Sequence, residues 1–436
     1  MNSKEGEILR QMKDSRVEWI GEIPIGWQVS RIKELFAEVN ERCSNGADYT
    51  LLSVSEYYGV APKAEKISEE DMLTHAETLD GYKICQPNDI VMNIMLAWKR
   101  ALGASRYKGI ISPAYCVYRP REGVCSRYFH YLYRTDVYAN LFKQYSTGII
   151  DSRLRLYPDK FLALKCQVPP MDVQQRIIEF LDIRCAKIDS VIARQQEAIE
   201  KLKAYKLSVV TEAVTQGLNP DVPMKDSGYH FIGTIPKHWT AMRMKHIAVA
   251  IGDGIHTTPE YDVDGDYYFL NGNNIGADSL VFKENTDRLS IQEYQKYKAP
   301  LLNEETIFIT LNGATYGKTS FYHGEKVLLG KSAGYITLNG VVNKSYIRYY
   351  LQSRVARTIM ELSLCGSTIA NLSLKTLNNF YIPLPGRDEQ DTITTYLDQR
   401  CAQIDSIISR RQSIIDKLVE YKKSLIYEVV TGKREV

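Results

Sequence analysis

The chain has 436 residues, 44% of them hydrophobic and 25% charged, and its 55 basic and 52 acidic residues leave a net charge of only +3. That length predicts two or more domains, and the composition is that of an ordinary soluble globular protein. No apolar run is long enough to span a bilayer, the start MNSKEGEILRQMKDSR lacks a signal peptide's apolar stretch, and eight cysteines without a Cys-x-x-Cys pair give neither a disulfide framework nor a zinc knuckle, so a cytoplasmic protein is expected.

The first predicted element is a short opening segment, MKDSRVEWIGEIPIGWQVSRIK at 12–33. Residues 34–167 follow as a globular module. The apolar runs DIVMNIML and AYCVYRP read as strands, YFHYLYRTDVYANLFKQYS reads as helix, and the module is expected to close with a helix. Next, Leu181, Cys185, Ile188, Ile192, Gln195, Ile199, Leu202, Lys206, Val209 and Ala213 alternate spacings of four and three, a heptad seam free of Gly and Pro. A helix over Asp172–Thr215 would be on the order of 66 Å long.

The pattern then begins again. MKDSGYHFIGTIPKHWTAMRMK at 224–245 matches the first opening segment at 11 of 22 positions, including Ile20/Ile232, Gly21/Gly233, Pro24/Pro236 and Trp27/Trp239. A second module contains the strand-like runs TIFITL and GYITLNG and the helical run YIRYYLQSRVARTIMELSL. The second seam comprises Leu397, Cys401, Ile404, Ile408, Arg411, Ile415, Leu418, Lys422, Leu425 and Val429; residues 395–431 match 179–215 at 20 of 37 positions without a gap. The sequence is therefore a duplication. Both seams turn polar at matching places, Gln195/Arg411 and Lys206/Lys422, a device that discriminates against wrong registers. The predicted partner of each helix is the other copy, antiparallel; a homodimer or a seam used by another protein are the alternatives.

The predicted organisation is an α+β fold: modules at 1–167 and 219–384, alternating with long helices at 168–218 and 385–436. Between the repeated frames the two modules share almost no identity. That suits two modules that dock alike and recognise different things, although plain drift after duplication gives the same pattern. Charge retains what identity has lost. Residues 34–98 are net −8 and 99–165 net +9; residues 249–310 are net −7 and 311–380 net +6. A phosphate backbone requires Lys and Arg concentrated on one surface rather than high total charge. The candidate DNA-contacting residues are Arg100, Arg106, Lys108, Arg153 and Arg155 in the first module, and Lys318, Lys331, Arg354, Arg357 and Lys375 in the second. The tyrosines that crowd these halves read mostly as packing.

Catalytic signatures are missing. Gly313-Ala-Thr-Tyr-Gly317-Lys318-Thr319 resembles a phosphate-binding loop, but it has three residues between its glycines where four are needed, and the following SFYHGEKVLL reads as a hairpin instead of a helix. Asp262, Asp264 and Asp266 suggest a calcium loop, but Gly265 comes too early and Asn273 stands where a bidentate Glu is required. No metal ligand set, catalytic residue or dinucleotide cradle is predicted.

The sequence resembles the specificity subunits of type I restriction–modification systems. The resemblance is carried by Trp19 to Trp27 and Phe231 to Trp239, by LLSVSEYYGVAP at 51–62, by DIVMNIMLAWKRALGASRYKGIISPAY at 89–115, and by VPPMDVQQRIIEFL and IPLPGRDEQDTITTYL leading into the long helices. Val173-Gln174 departs from the family's Glu-Gln, which Glu389-Gln390 keeps. The resemblance implies a non-catalytic subunit whose modules are target recognition domains, each reading half of an asymmetric, interrupted double-stranded DNA site. It also implies partners: two modification subunits that carry S-adenosylmethionine and methylate adenine, and restriction subunits that use ATP with magnesium. Two alternatives remain at this level: an enzyme with the Gly313 loop as its clue, and a coiled-coil scaffold that never touches DNA.

Overall fold

The computed structural model describes residues 11–65, 79–297, 300–313, 315–364 and 371–436. Contacts divide the chain into two compact units, Met1–Gln195 with Ser413–Val436, and Gln196–Gln412. Each unit is an α+β module with segments of both long helices.

The apolar runs form the central strands. In the first unit a four-stranded antiparallel sheet has the order Phe36–Val39, Tyr115–Pro120, Ile90–Asn93, Leu102–Ala104. In the second the order is Ala248–Asp253, Ala333–Leu338, Thr306–Thr310, Thr319–Phe321, again antiparallel throughout. Numbered along the chain, both sheets run first, fourth, second, third. Ile90–Asn93 and Thr306–Thr310 are buried along their whole length, which is why they read as continuous rather than alternating apolar runs. The sheet thus survives where sequence identity does not.

Three local expectations are corrected. Each predicted helical stretch is two helices: Ser126–Tyr133 and Asp136–Tyr145 in the first unit, Lys344–Gln352 and Arg354–Leu364 in the second. Thr135 and Ser353 at the breaks are extended, with ψ of 158° and 160°, and the Thr135 hydroxyl donates to the Leu132 carbonyl at 2.8 Å instead of letting the helix continue. Nor does a module close with a helix. The short helices Pro158–Ala163 and Leu374–Asn378 lead into strands Lys165–Val168 and Tyr381–Leu384, paired with Gln28–Arg31 and Thr240–Arg243. Finally, SFYHGEKVLL is not a hairpin. Thr319–Phe321 pairs back across the Gly313 loop to Thr306–Thr310, and Val327–Leu329 runs parallel to Tyr267–Leu270.

The long helices are Met171–Gln216 and Arg387–Val430. The predicted seam faces inward: Leu181, Ile188, Ile199, Leu397, Ile404 and Ile415 are buried, and Ile192, Leu202, Ile408 and Leu418 half-buried. Cys185 and Cys401 are core residues, and burial pushes the Cys185 thiol up to about 11, away from reactivity. The seam lysines are matched across the helix pair. In the first unit Lys422 donates to Asp189 at 2.7 Å, and in the second Lys206 donates to Asp405 at 2.6 Å. In the second unit the segments run antiparallel, since Gly217 lies beside Glu389 while Lys206 reaches Asp405.

Both long helices stop at a left-handed glycine, Gly217 at φ 79° and Gly432 at φ 75°. The opening segments pack there. A Cβ on Gly432 would stand 3.1 Å from the Trp27 ring, and one on Gly217 3.2 Å from the Trp239 ring. Trp27 and Trp239 are buried. The tryptophan of each opening segment therefore closes the end of the other repeat's helix, which explains why these two frames are kept together. No helix among the described residues is long and apolar enough to cross a membrane.

Candidate nucleic-acid interface

A module can present a basic surface only if something holds it on the helix pair. Three pairs of contacts do this in matched positions. The Tyr128 hydroxyl donates to the Val430 carbonyl at 2.8 Å, and the Tyr346 hydroxyl to the Val214 carbonyl at 3.1 Å, satisfying carbonyls that a helix C-terminus leaves without partners. The Tyr131 hydroxyl donates to Asp182 at 2.7 Å, and Tyr349 to Asp398 at 2.6 Å; burial and the adjacent carboxylate raise both phenols. Arg127 also pairs with Asp182. Gln174 and Gln390, both buried, each donate from Nε2 to a proline carbonyl at 2.9 Å, that of Pro169 and Pro385 respectively. Their Oε1 atoms accept from the module, from the Cys125 N–H at 3.4 Å and the Asn343 N–H at 2.8 Å.

Many cations of the basic halves are used internally. Arg119 bridges Glu41 at 2.6 Å and Asp89 at 3.2 Å; its hydrogen bond holds the Glu41 carboxyl below the usual range. The Arg134 guanidinium gathers the carbonyls of Arg100 at 2.6 Å, Glu56 at 2.8 Å and Leu102 at 2.9 Å, and burial lowers it to about 10. In the second unit Arg348 pairs with Asp278 and lies 4.7 Å from the Phe321 ring centre. These side chains hold modules together.

Among the sequence-selected candidates, Arg100 belongs with this group. It is left-handed at φ 66°, it pairs with Asp136, and it faces a hollow of about 650 Å³ lined also by Asp189 and Lys422. The others are exposed and have no ion-pair partner among the described residues. Arg106 and Lys108 sit on the turn between Leu102–Ala104 and Gly109–Ile111, where the Ser105 hydroxyl donates to the Tyr107 carbonyl at 2.8 Å. Arg153 and Arg155 share the loop after Asp136–Tyr145. Lys318 and Arg357 line one hollow of about 840 Å³, together with Tyr316, Gly317 and the acidic Asp398 and Asp405. Lys331 lines a smaller hollow with His256 and Tyr261. Arg354 begins the helix Arg354–Leu364, and Lys375 lies on Leu374–Asn378.

The Gly313 loop leads into a strand, so it has no helix N-terminus to cradle a phosphate. Asp262, Asp264 and Asp266 are exposed on a turn in which the Asp262 carboxylate accepts from the Asp264 N–H at 3.1 Å. No cluster of three potential metal ligands occurs among the described residues. Sequence reasoning noted Gln174 and Gln390 only within the resemblance and gave them no role, although they stand at the repeat offset just outside the segment compared. It also missed the exposed apolar side chains of the Arg153 loop.

Comparison with known proteins bears on this arrangement. Residues 236–415 match the model of a family described as Type I restriction modification DNA specificity domain. The chain is 24% identical over 260 residues to the Type I restriction enzyme EcoBI specificity subunit of Escherichia coli, covering 55% of this chain and 52% of that protein. It is 24% identical over 254 residues to the MjaVIII specificity subunit of Methanocaldococcus jannaschii, covering 57% of each. The chain therefore spans about half the length of these curated relatives. A solved chain from work on complex assembly and conformational transition of the type I R-M system shares the fold, with a TM-score of 0.68, 17% identity, and coverage of 94% of this chain and 99% of that one.

Proposed function

We propose that this chain, a relative of the type I restriction–modification specificity subunits, reads a bipartite, asymmetric double-stranded DNA site and performs no chemistry itself. Each module contacts one half-site. The helix pair sets the interval between them, and modification subunits assemble around it, with restriction subunits where these are present. Adenine methylation with S-adenosylmethionine, and ATP- and magnesium-dependent cleavage, then belong to those partners. The carrying observation is the pair of sheets with one strand order in two modules that have lost sequence identity. Conserved mounting with divergent surfaces is what two readers of different sequences require.

The nine exposed candidate cations support backbone contact, with Arg106, Lys108, Arg153 and Arg155 serving one half-site and Lys318, Lys331, Arg354, Arg357 and Lys375 the other. Half-sites read from one face of a duplex lie about one helical turn apart, roughly 34–36 Å. Methylome sequencing of the host with the gene intact and deleted tests the reading. A bipartite methylated motif should vanish on deletion, and exchanging residues 34–167 for those of another specificity subunit should change one half of it. A motif that survives deletion, or changes in both halves on exchange, refutes the proposal.

A further inference from the structure

Isoleucine is ordinarily withdrawn from water, and an exposed adjacent pair has no folding rationale. Between Thr147 and Arg155, Ile149 is 99% exposed and Ile150 53% exposed. The loop that carries them is built rather than frayed. Thr147 and Arg155 exchange two backbone hydrogen bonds, of 2.9 and 3.0 Å, and the Arg153 N–H donates to the Ile150 carbonyl at 2.8 Å. At Gly148 a Cβ would stand 2.6 Å from the Arg153 carbonyl oxygen, so only glycine allows this closure. Leu154 and Leu156 turn inward, the Leu156 N–H donating to the Ile94 carbonyl at 2.8 Å, while Lys143 reaches Asp151 at 2.8 Å. Outward stand two isoleucines, two arginines and the Asp151 carboxylate, whose charge Lys143 offsets.

We propose that this loop enters a groove of the DNA, with Ile149 and Ile150 making the apolar part of base readout in the first half-site and Arg153 and Arg155 holding the adjoining phosphates. The inference rests on the reading of residues 34–167 as a DNA-recognition module. The occupant follows from the mixture of groups. An apolar protein surface would strip water from two guanidiniums that have no ion-pair partner among the described residues, whereas duplex DNA offers phosphates beside thymine methyls and satisfies both. The basic half to which the loop belongs, residues 99–165, carries net +9.

The test uses the full chain assembled with its modification subunits, bearing Ile149→Ser/Ile150→Ser or Arg153→Gln/Arg155→Gln. Binding is measured on duplexes with the host methylation motif, on single-base variants and on unrelated sequence. The isoleucine change should weaken the parent site roughly 5- to 100-fold and relax preference within one half-site. Its affinity for unrelated duplex and its thermal melt should stay unchanged. The arginine change should weaken every duplex alike and lower the slope of log affinity against log salt by about 2. An isoleucine variant with unchanged parent affinity and motif overturns the loop's role, as does one that weakens all duplexes equally. Failure of the unaltered complex to distinguish its motif overturns the module reading instead.

Discussion

Replacing Gln390 by alanine should loosen the second module from its helix far more than replacing Gln174 loosens the first. Gln390 is 3% exposed and makes two short hydrogen bonds, to the Pro385 carbonyl at 2.9 Å and from the Asn343 N–H at 2.8 Å. Truncation leaves both groups without that partner. At about 1–3 kcal/mol for each unsatisfied buried group, the local cost of the two is about 2–6 kcal/mol. Gln174 makes one comparable bond, to Pro169 at 2.9 Å, and one long one, from Cys125 at 3.4 Å, so Gln174→Ala should cost about half as much, about 1–3 kcal/mol. Hydrogen exchange followed by mass spectrometry reads this locally, which suits a protein of two units whose global unfolding is not a single transition. In Gln390→Ala the Asn343 amide should exchange at least tenfold faster, while peptides of the first unit keep their rates. Unchanged Asn343 protection, or a larger effect from Gln174→Ala, would refute the reasoning.

Three further outcomes are expected. Burial and the charges of Arg134, Arg106 and Arg127 push His130 from its ordinary 6.5 down to about 3, with Asp182 lining the same small hollow. The folded chain keeps His130 neutral where the unfolded chain takes up a proton, so this group's contribution to stability is lost as pH falls from about 6.5 towards 3. Urea unfolding at pH 7 and pH 4.5 should therefore show a smaller drop for His130→Gln than for the parent chain, and equal drops would count against it. Deleting Ser413–Val436 removes Leu425, Val429 and Val430 from the core of the first unit, and limited proteolysis should then digest residues 11–195 while Gln196–Gln412 resists. Survival of both units would contradict the packing described. Inserting four residues just before Thr211 keeps the Arg354–Thr211 and Tyr346–Val214 hydrogen bonds and adds about one helical turn. It should lengthen the unread interval of the methylated motif, and an unchanged interval in the methylome would rule out the helix as a ruler.

What could be read from the sequence, and what could not, follows from the range of the interactions involved. The seam from Leu181 to Ala213 was legible because a heptad is local and repeats; Leu181, Cys185, Ile188, Ile199 and Ala213 are buried, whereas near the helix end Val210 is buried in place of the named Val209. The breaks at Thr135 and Ser353 were not, since a single extended residue interrupts an otherwise continuous amphipathic pattern. Strand order depends on pairings such as Tyr118 with Glu38, far apart in the chain and specified only by backbone. Among the cations, composition selected the basic halves but could not separate Arg100 from Arg106. The difference is Asp136, which meets Arg100 only after folding. Ile149 was invisible for the converse reason: nothing in its neighbours announces that a closed loop holds it in water.

The first unit is discontinuous, because it takes in Ser413–Val436 and its core contains Leu425, Val429 and Val430, whereas the second is a single stretch, Gln196–Gln412. During synthesis the ribosome delivers every part of the second unit before the last strip of the first. Until then the core of the first unit is incomplete, its cluster holding Ile177, Leu181 and Cys185 but not yet Leu425 and Val429. The usual order, in which the earlier domain folds first, is therefore reversed for these two units, since the strip that seals the first follows the whole of the second.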